Sequence, residues 1–134
     1  MNEGWIGDEY LILFEEHEQA QITKAYNLEK YLPGYRVSAI VGWDDLLLTD
    51  QAGGHWRVPT VPLVQKYLEQ HRQVYESNQL EPDDRYAGKI KWYIQPIVFG
   101  GDPASEDNMA WIDIKKHQEF VIWWNEKYRE LTGE

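Results

Sequence analysis

Residues 32–62, Leu32 to Pro62, read LPGYRVSAIVGWDDLLLTDQAGGHWRVPTVP, and this stretch decides the fold. Val37–Val41 and Leu46–Thr49 are strand-like runs separated by Gly42, Trp43, Asp44 and Asp45. A second turn, Asp50-Gln51-Ala52-Gly53-Gly54, leads into His55-Trp56-Arg57-Val58. Short apolar runs joined by tight, glycine-bearing turns predict an antiparallel meander. Pro59 closes it, because proline cannot donate to a strand ladder. The apolar faces of these strands need cover that only the flanking segments can supply.

Working outward toward the N-terminus, Tyr10-Leu11-Ile12-Leu13-Phe14 is apolar on both sides, as a strand buried on both faces would be. Residues 1–9 are polar and acidic, with Gly4 and Gly7 as breakers and Trp5 as the one large anchor. Glu15–Tyr26 is rich in Glu, Gln and Ala with Ile22, Ala25 and Tyr26 on one side, which predicts a helix. Pro33-Gly34 ends whatever precedes it.

Toward the C-terminus, Pro62 suits the first turn of a helix. Leu63, Val64, Tyr67, Leu68, His71, Val74 and Tyr75 then follow helical spacing, predicting a helix over 62–75. Residues 76–84 are polar and interrupted by Pro82, a surface loop. Ile90, Trp92 and Ile94 alternate with Lys91, Tyr93 and Gln95, the pattern of a half-buried strand. Met109–Ile112 suits a further brief strand. Asp113 is placed to cap a helix over 114–131, whose stripe is Ile114, His117, Val121, Trp124, Tyr128 and Leu131. Ile122 and Trp123 fall away from that stripe on opposite sides. They either tuck under loops or serve an interface, where tryptophan is enriched.

The chain of 134 residues is therefore expected to be one α+β domain with a mainly antiparallel sheet. Its strands lie near 10–14, 37–41, 46–49, 55–58 and 90–95, and helices near 16–26, 62–75 and 114–131 pack on them. No stretch approaches the roughly 20 apolar residues of a membrane helix. The opening MNEGWIGDEY lacks the basic and apolar regions of a secretory signal, and there is no cysteine. Both point to the cytoplasm.

Charge restricts the partners. Asp and Glu number 23 against 13 Lys and Arg, a formal net of −10. Such a surface repels nucleic acid and anionic membranes, and favours encounter with a basic protein; acidity also simply maintains solubility. The segment up to Thr23 carries acids and no Lys or Arg.

Motifs for catalysis are weak. His17, His55, His71 and His117 form no metal-binding spacing, and His71 and His117 read as hydrogen-bonded core histidines. Asp44-Asp45 and Asp83-Asp84 are sequence neighbours whose side chains diverge on a strand or turn. Asp44 and Asp45 suit a hairpin turn. No Ser sits in a nucleophile elbow, and Gly53-Gly54 and Gly100-Gly101 lack phosphate-loop spacing. Seven Trp and nine Tyr are not interleaved with Arg and Lys as a nucleic-acid platform requires.

A wider pattern links the pieces from Glu9 to Pro62. Tyr10–Phe14 is followed by a helix ending in Lys24-Ala25-Tyr26-Asn27-Leu28, then Tyr31-Leu32-Pro33-Gly34-Tyr35, the Val41-Gly42 turn, Leu47-Leu48-Thr49-Asp50 and Gly54-His55-Trp56-Arg57-Val58-Pro59. This order resembles the SUKH superfamily, which groups fungal cell-wall regulators with bacterial toxin-immunity proteins. That family runs strand, helix, "PG" turn, glycine-rich hairpin, aspartate-ended strand and a strand closing in "VP". Here Trp43, Asp44 and Asp45 stand where hairpin glycines are usual, and the family's N-terminal helix and "LP..Y" segment are not represented.

The resemblance implies an α+β domain with no catalytic centre, no metal and no cofactor, which guards a bacterial cell by binding a toxin directly. A basic toxin domain such as a nuclease fits the charge. Turn position and residue type single out Trp43, Asp44, Asp45, Asp50 and Trp56 as contact residues, with Trp123 added by its place on the last helix. Two other functions stay open: a regulatory or scaffold module for a cellular partner, and a small hydrolase using His55 with Asp44 or Asp45.

Overall fold

A computed structural model describes residues 1–41 and 45–133 of the chain. The organising stretch folds as the strands β3 (Tyr35–Val41), β4 (Asp45–Asp50) and β5 (His55–Pro59). Before them come β1 (Asn2–Ile6) and β2 (Glu9–Leu13), and after them the two-residue β6 (Glu69–Gln70). All six pair antiparallel in chain order. A second sheet pairs β7 (Lys89–Tyr93) with β8 (Met109–Asp113). Helices α1 (Glu16–Ala25) and α2 (Leu28–Tyr31) fall between β2 and β3, and α3 (Ile114–Thr132) ends the chain. The architecture is α+β, as the sequence pattern predicts.

The doubly apolar reading of residues 10–14 has a structural cause. Tyr10 and Ile12 face one core together with Val37, Ile40, Leu46, Leu48 and Val58. Tyr26, Leu28 and Leu32 from the helical segment, Trp92 from β7 and Val121 from α3 cover that face. Leu11, Ala39, Val41 and Leu47 face the other way and are covered by Leu80, with Tyr75 packed beside them. Strands with helices on one face and a loop on the other are apolar throughout, for the same reason parallel strands are.

A β-bulge in β3, between Val37 and Ala39, ties the helical layer to the sheet. Thr23 Oγ1 of α1 accepts from the Val37 N–H at 2.8 Å and donates to the Gln19 carbonyl at 2.7 Å. The start of α1 is closed by Glu18, whose carboxylate accepts from the Glu15 N–H at 2.9 Å. Asp113 caps α3 by accepting from the Lys116 N–H at 2.8 Å, as its position in the sequence predicts.

Two expectations need correction. Residues 62–75 form no α-helix: Gln65–Tyr67 make one 3-10 turn, and Glu69 and Gln70 join the sheet as β6. The outer edge of β5 competes for this backbone and wins, with Arg57 opposite Glu69, Trp56 opposite Gln70, and the His71 N–H donating to His55 O at 2.9 Å. Asn125 of α3 takes the Leu63 N–H at 2.7 Å, so the first turn of the expected helix is claimed as well. Residues 1–9 are the second case, since Asn2–Ile6 is a strand. Gly7, at φ 62°, makes the turn into β2. Gly4 lies so close to Glu81 that a Cβ would sit 2.6 Å from its backbone. That approach lets Trp5 and Glu81 exchange backbone hydrogen bonds of 2.9 and 3.0 Å.

An aromatic cluster joins the two sheets. Trp5 and Tyr10 meet Tyr86 and Trp111 edge-on, Tyr86 stacks on Trp111 at 3.8 Å, and Lys91 Nζ lies 5.3 Å from the Trp5 ring and 5.5 Å from that of Trp111. Ring edges and a cation over ring faces are the favoured geometries. Two of the seven Trp and two of the nine Tyr are used here, in structure.

Candidate protein-interaction surfaces

The contact residues singled out in the sequence do not converge. Trp43 and Asp44 lie outside the described residues. Asp45 opens β4 at the end of the sheet shared with the β1–β2 turn, because Leu11 pairs with Val41 and Val41 with Asp45. Asp50 sits at the opposite end of β4, about 17 Å away by strand rise, and Trp56, opposite Leu48, is about 10 Å along the ladder. Trp123 is on α3.

At the Asp45 end, Arg57 is the centre. Its Nε donates to Asp45 Oδ2 at 2.5 Å, and its Nη2 reaches Glu9 Oε1 at 3.5 Å. Glu69 stands opposite Arg57 across the β5–β6 ladder. Burial works against the Arg57 charge, while Asp45 and Glu9 favour it; the balance moves its pKa above the usual arginine value. Two carboxylates on the guanidinium and a third opposite Arg57 in the ladder leave a net negative patch.

At the other end, Asp50 organises the turn. Its carboxylate accepts from the Trp56 indole at 2.9 Å, the Gly54 N–H at 2.7 Å and the Ala52 N–H at 3.0 Å. The Trp56 bond, then the Gly54 bond, hold its pKa below the usual carboxylate value. Trp56 also meets Tyr35 edge-on at 6.5 Å. These two residues are held by each other.

The histidines divide by environment. His117 is buried, and its Nδ1 shares a 2.6 Å hydrogen bond with the Tyr26 hydroxyl. Burial drives its pKa down to about 3, so the imidazole is neutral in the core. His71, freed from the expected helix, is half-buried beside Tyr75, and its Nε2 has no hydrogen-bond partner among the described residues. It lines a cleft of about 180 Å³ with His55, Ser38 and Gln73. His55 pairs with Thr49, whereas Asp45 pairs with Pro59 at the far end of the ladder, so no catalytic pair forms between His55 and Asp45. Glu15, His17 and Glu18 bring their ligand atoms within 4.8 Å of one another. Glu18 is already engaged there by the Glu15 N–H and the N-terminal amine.

A third surface was only half legible. Trp123 is 57% exposed, touching Trp124 edge-on at 4.9 Å. Phe120, Ile94, Ile97 and Val98 are exposed in the same region of the chain's fold, although alternation had assigned Ile94 to a buried strand face. β7 stops at Tyr93, the Ile94 N–H makes one further bond across the ribbon to the Asn108 carbonyl at 2.9 Å, and its side chain lines an open groove with Trp92, Phe120 and Trp124. A helical projection finds Phe120 and Trp123 about 60° apart on α3, which is the signal that points to a shared outer face.

No family model, no curated protein and no solved structure matches the chain. Among the described residues no helix is long and apolar enough to cross a membrane.

Proposed function

We propose that the chain is a non-enzymatic, cytoplasmic protein-binding domain, an immunity protein of SUKH type that neutralises a basic toxin domain by direct binding. The observation that carries this reading is the carboxylate patch of Glu9, Asp45 and Glu69 around the single Arg57. The patch lies at the end of the meander where the resemblance departs from its family. The net charge of −10 surrounds it with a field that draws a cationic surface in. Further support comes from element order: β2, α1, the Pro33-Gly34 turn, the β3–β4 hairpin, Asp50 ending β4 and Val58-Pro59 ending β5 follow the sequence that the resemblance implies.

The test is titration of the purified chain with the basic toxin domain encoded beside it, at low and high salt, alongside growth rescue when both are expressed. Tight binding that weakens as salt rises, lost on Glu9→Gln with Asp45→Asn, supports the proposal. Absence of both binding and rescue sinks it. The Asp45–Arg57 pair is partly exposed, so its removal costs folding about 1 kcal/mol or less and leaves binding readable.

Exposed Trp123 favours the second reading, a regulatory or scaffold module for a cellular protein. Loss of a cellular partner on Trp123→Ala, with toxin rescue absent, would select it.

A further inference from the structure

The β7–β8 ribbon and α3 enclose an apolar groove of about 340 Å³, with Trp92 buried at its floor. Ile94, Ala110 and Ile112 line the sheet side, and Phe120 and Trp124 the helix side. Next to it the 97–99 turn is fastened to α3 by Phe99 against Trp124 at 4.8 Å, and carries exposed Ile97 and Val98. Trp123 projects beside Trp124. The fold makes no use of the outer surface of these side chains.

Charge identifies the occupant. Residues 92–114, which build the sheet side and its loop, contain Asp102, Glu106, Asp107 and Asp113 and no Lys or Arg. Asp102, Glu106 and Asp107 are exposed. On the outer face of α3 Lys116 and Lys127 are matched by Glu119 and Glu130, with Lys127 Nζ 3.9 Å from Glu130 Oε2; the whole helix carries Lys115, Lys116, Lys127 and Arg129 against Glu119, Glu126 and Glu130. The groove walls are therefore apolar, the loop that joins β7 to β8 is acidic, and the outer face of α3 is balanced. A second copy of the chain would bring acidic rim to acidic rim, each copy carrying −10.

We propose that this groove and Trp123 dock a basic protein segment with an apolar ridge flanked by Lys or Arg, in the manner of an amphipathic helix seated in a groove. The proposal rests on the protein-binding reading and gives it a second contact face, separate from the Asp45 patch. The apolar ridge fills the groove and meets Trp123, which supplies the area; the flanking cations meet Asp102, Glu106 and Asp107, which select the partner.

The experiment uses the full chain and three synthetic peptides of about 18 residues. One is an amphipathic Leu/Lys helix, one a Ser/Lys peptide of equal charge, and one a Leu/Glu helix. Binding is followed by calorimetry, by tryptophan emission and by amide shifts in the 92–131 region. The expected result is binding of the Leu/Lys peptide alone, weakened about tenfold or more by Trp123→Ala. It also loses most of its salt dependence in the triple variant Asp102→Asn, Glu106→Gln, Asp107→Asn, and is unaltered by Asp45→Asn. Thermal melts confirm that each variant is folded.

Equal binding of the Leu/Lys and Ser/Lys peptides would overturn the proposal, since charge alone would then suffice. So would indifference to Trp123→Ala, or concentration-dependent dimerisation abolished by that substitution, which would make a second copy the occupant. Toxin rescue that survives Trp123→Ala together with peptide binding that ignores it leaves the immunity reading intact and removes this face. Peptide binding as expected with no toxin rescue does the reverse.

Discussion

The two sides of α3 reverse the usual sorting of residues. Its inner side carries His117 and Asn125, both buried and polar; its outer side carries Phe120 and Trp123, both apolar and exposed. Each inner polar group is satisfied where it matters. Asn125 accepts from the Leu63 N–H at 2.7 Å and donates to the carbonyls of Thr60 and Val121 at 2.8 Å. His117 bonds Tyr26 and lies edge-on to Trp92 at 5.1 Å. A buried polar group with partners is cheap to keep and costly to strip. The outer apolar groups have no such account in the fold, and that contrast is what the docking proposal rests on.

The contrast can be broken from the inner side first. Trp92→Ala should cost most, about 4 kcal/mol, because a fully packed indole is lost from between α3 and the core. Chemical denaturation should show it as a lower midpoint with an unchanged slope. Asn125→Ala comes next at about 3 kcal/mol, since the Leu63 N–H and the Thr60 carbonyl lose a buried partner together. Hydrogen exchange at Leu63 should rise in that variant ahead of the sheet amides. If Asn125→Ala were silent, the segment 60–65 would be held by packing alone.

His117 sharpens the same side through pH. Its folded pKa, about 3, lies below the unfolded value near 6.5, so the unfolded chain binds the extra proton between them. Its contribution is fully present above pH 6.5 and is lost as pH falls through that window, at up to about 1.4 kcal/mol per pH unit. Subtracting the stability profile of His117→Gln from that of the wild type should isolate the slope. A difference that is flat with pH would mean that His117 is charged when folded.

The outer side should barely respond. Trp123→Ser is expected to move stability by no more than about 0.5 kcal/mol, the usual range for an exposed position. A loss of several kcal/mol would show that Trp123 belongs to the core after all.

What the sequence made legible follows the range of the interactions. The meander, α1 and α3 rest on local signals: glycine turns, the Asp113 cap, and periods of two and of three to four. Residues 62–75 carry an equally good helical period, yet Asn125, sixty-two positions on from Leu63, and the β5 edge take the backbone bonds a helix would need. β1 was hidden because residues 1–9 are polar and carry Gly4 and Gly7, although its pairing with β2 is local; the apolar strand-like pattern lies on β2 alone. The site divides in the same way. Trp123 stood out by leaving the helix stripe, whereas the Glu9–Arg57–Asp45 arrangement depends on strand register that no local pattern encodes. Asp50 and Trp56 had the residue types of contacts, and the turn uses them for itself.

The close approach of Gly4 to Glu81 reaches further than the two Trp5–Glu81 hydrogen bonds it permits. Residues 69 and 70 cover β5 as the two-residue edge strand β6, and residue 81 bridges β1 at Trp5, so one segment meets both margins of the six-stranded sheet. Little continuous unpaired backbone is left there for an incoming strand to extend the ladder. A partner binding at this sheet would then meet side chains and read composition and shape, with little main chain to pair with. A bulkier residue at position 4 would prise the segment away, reopen that edge and turn a selective surface into an adhesive one.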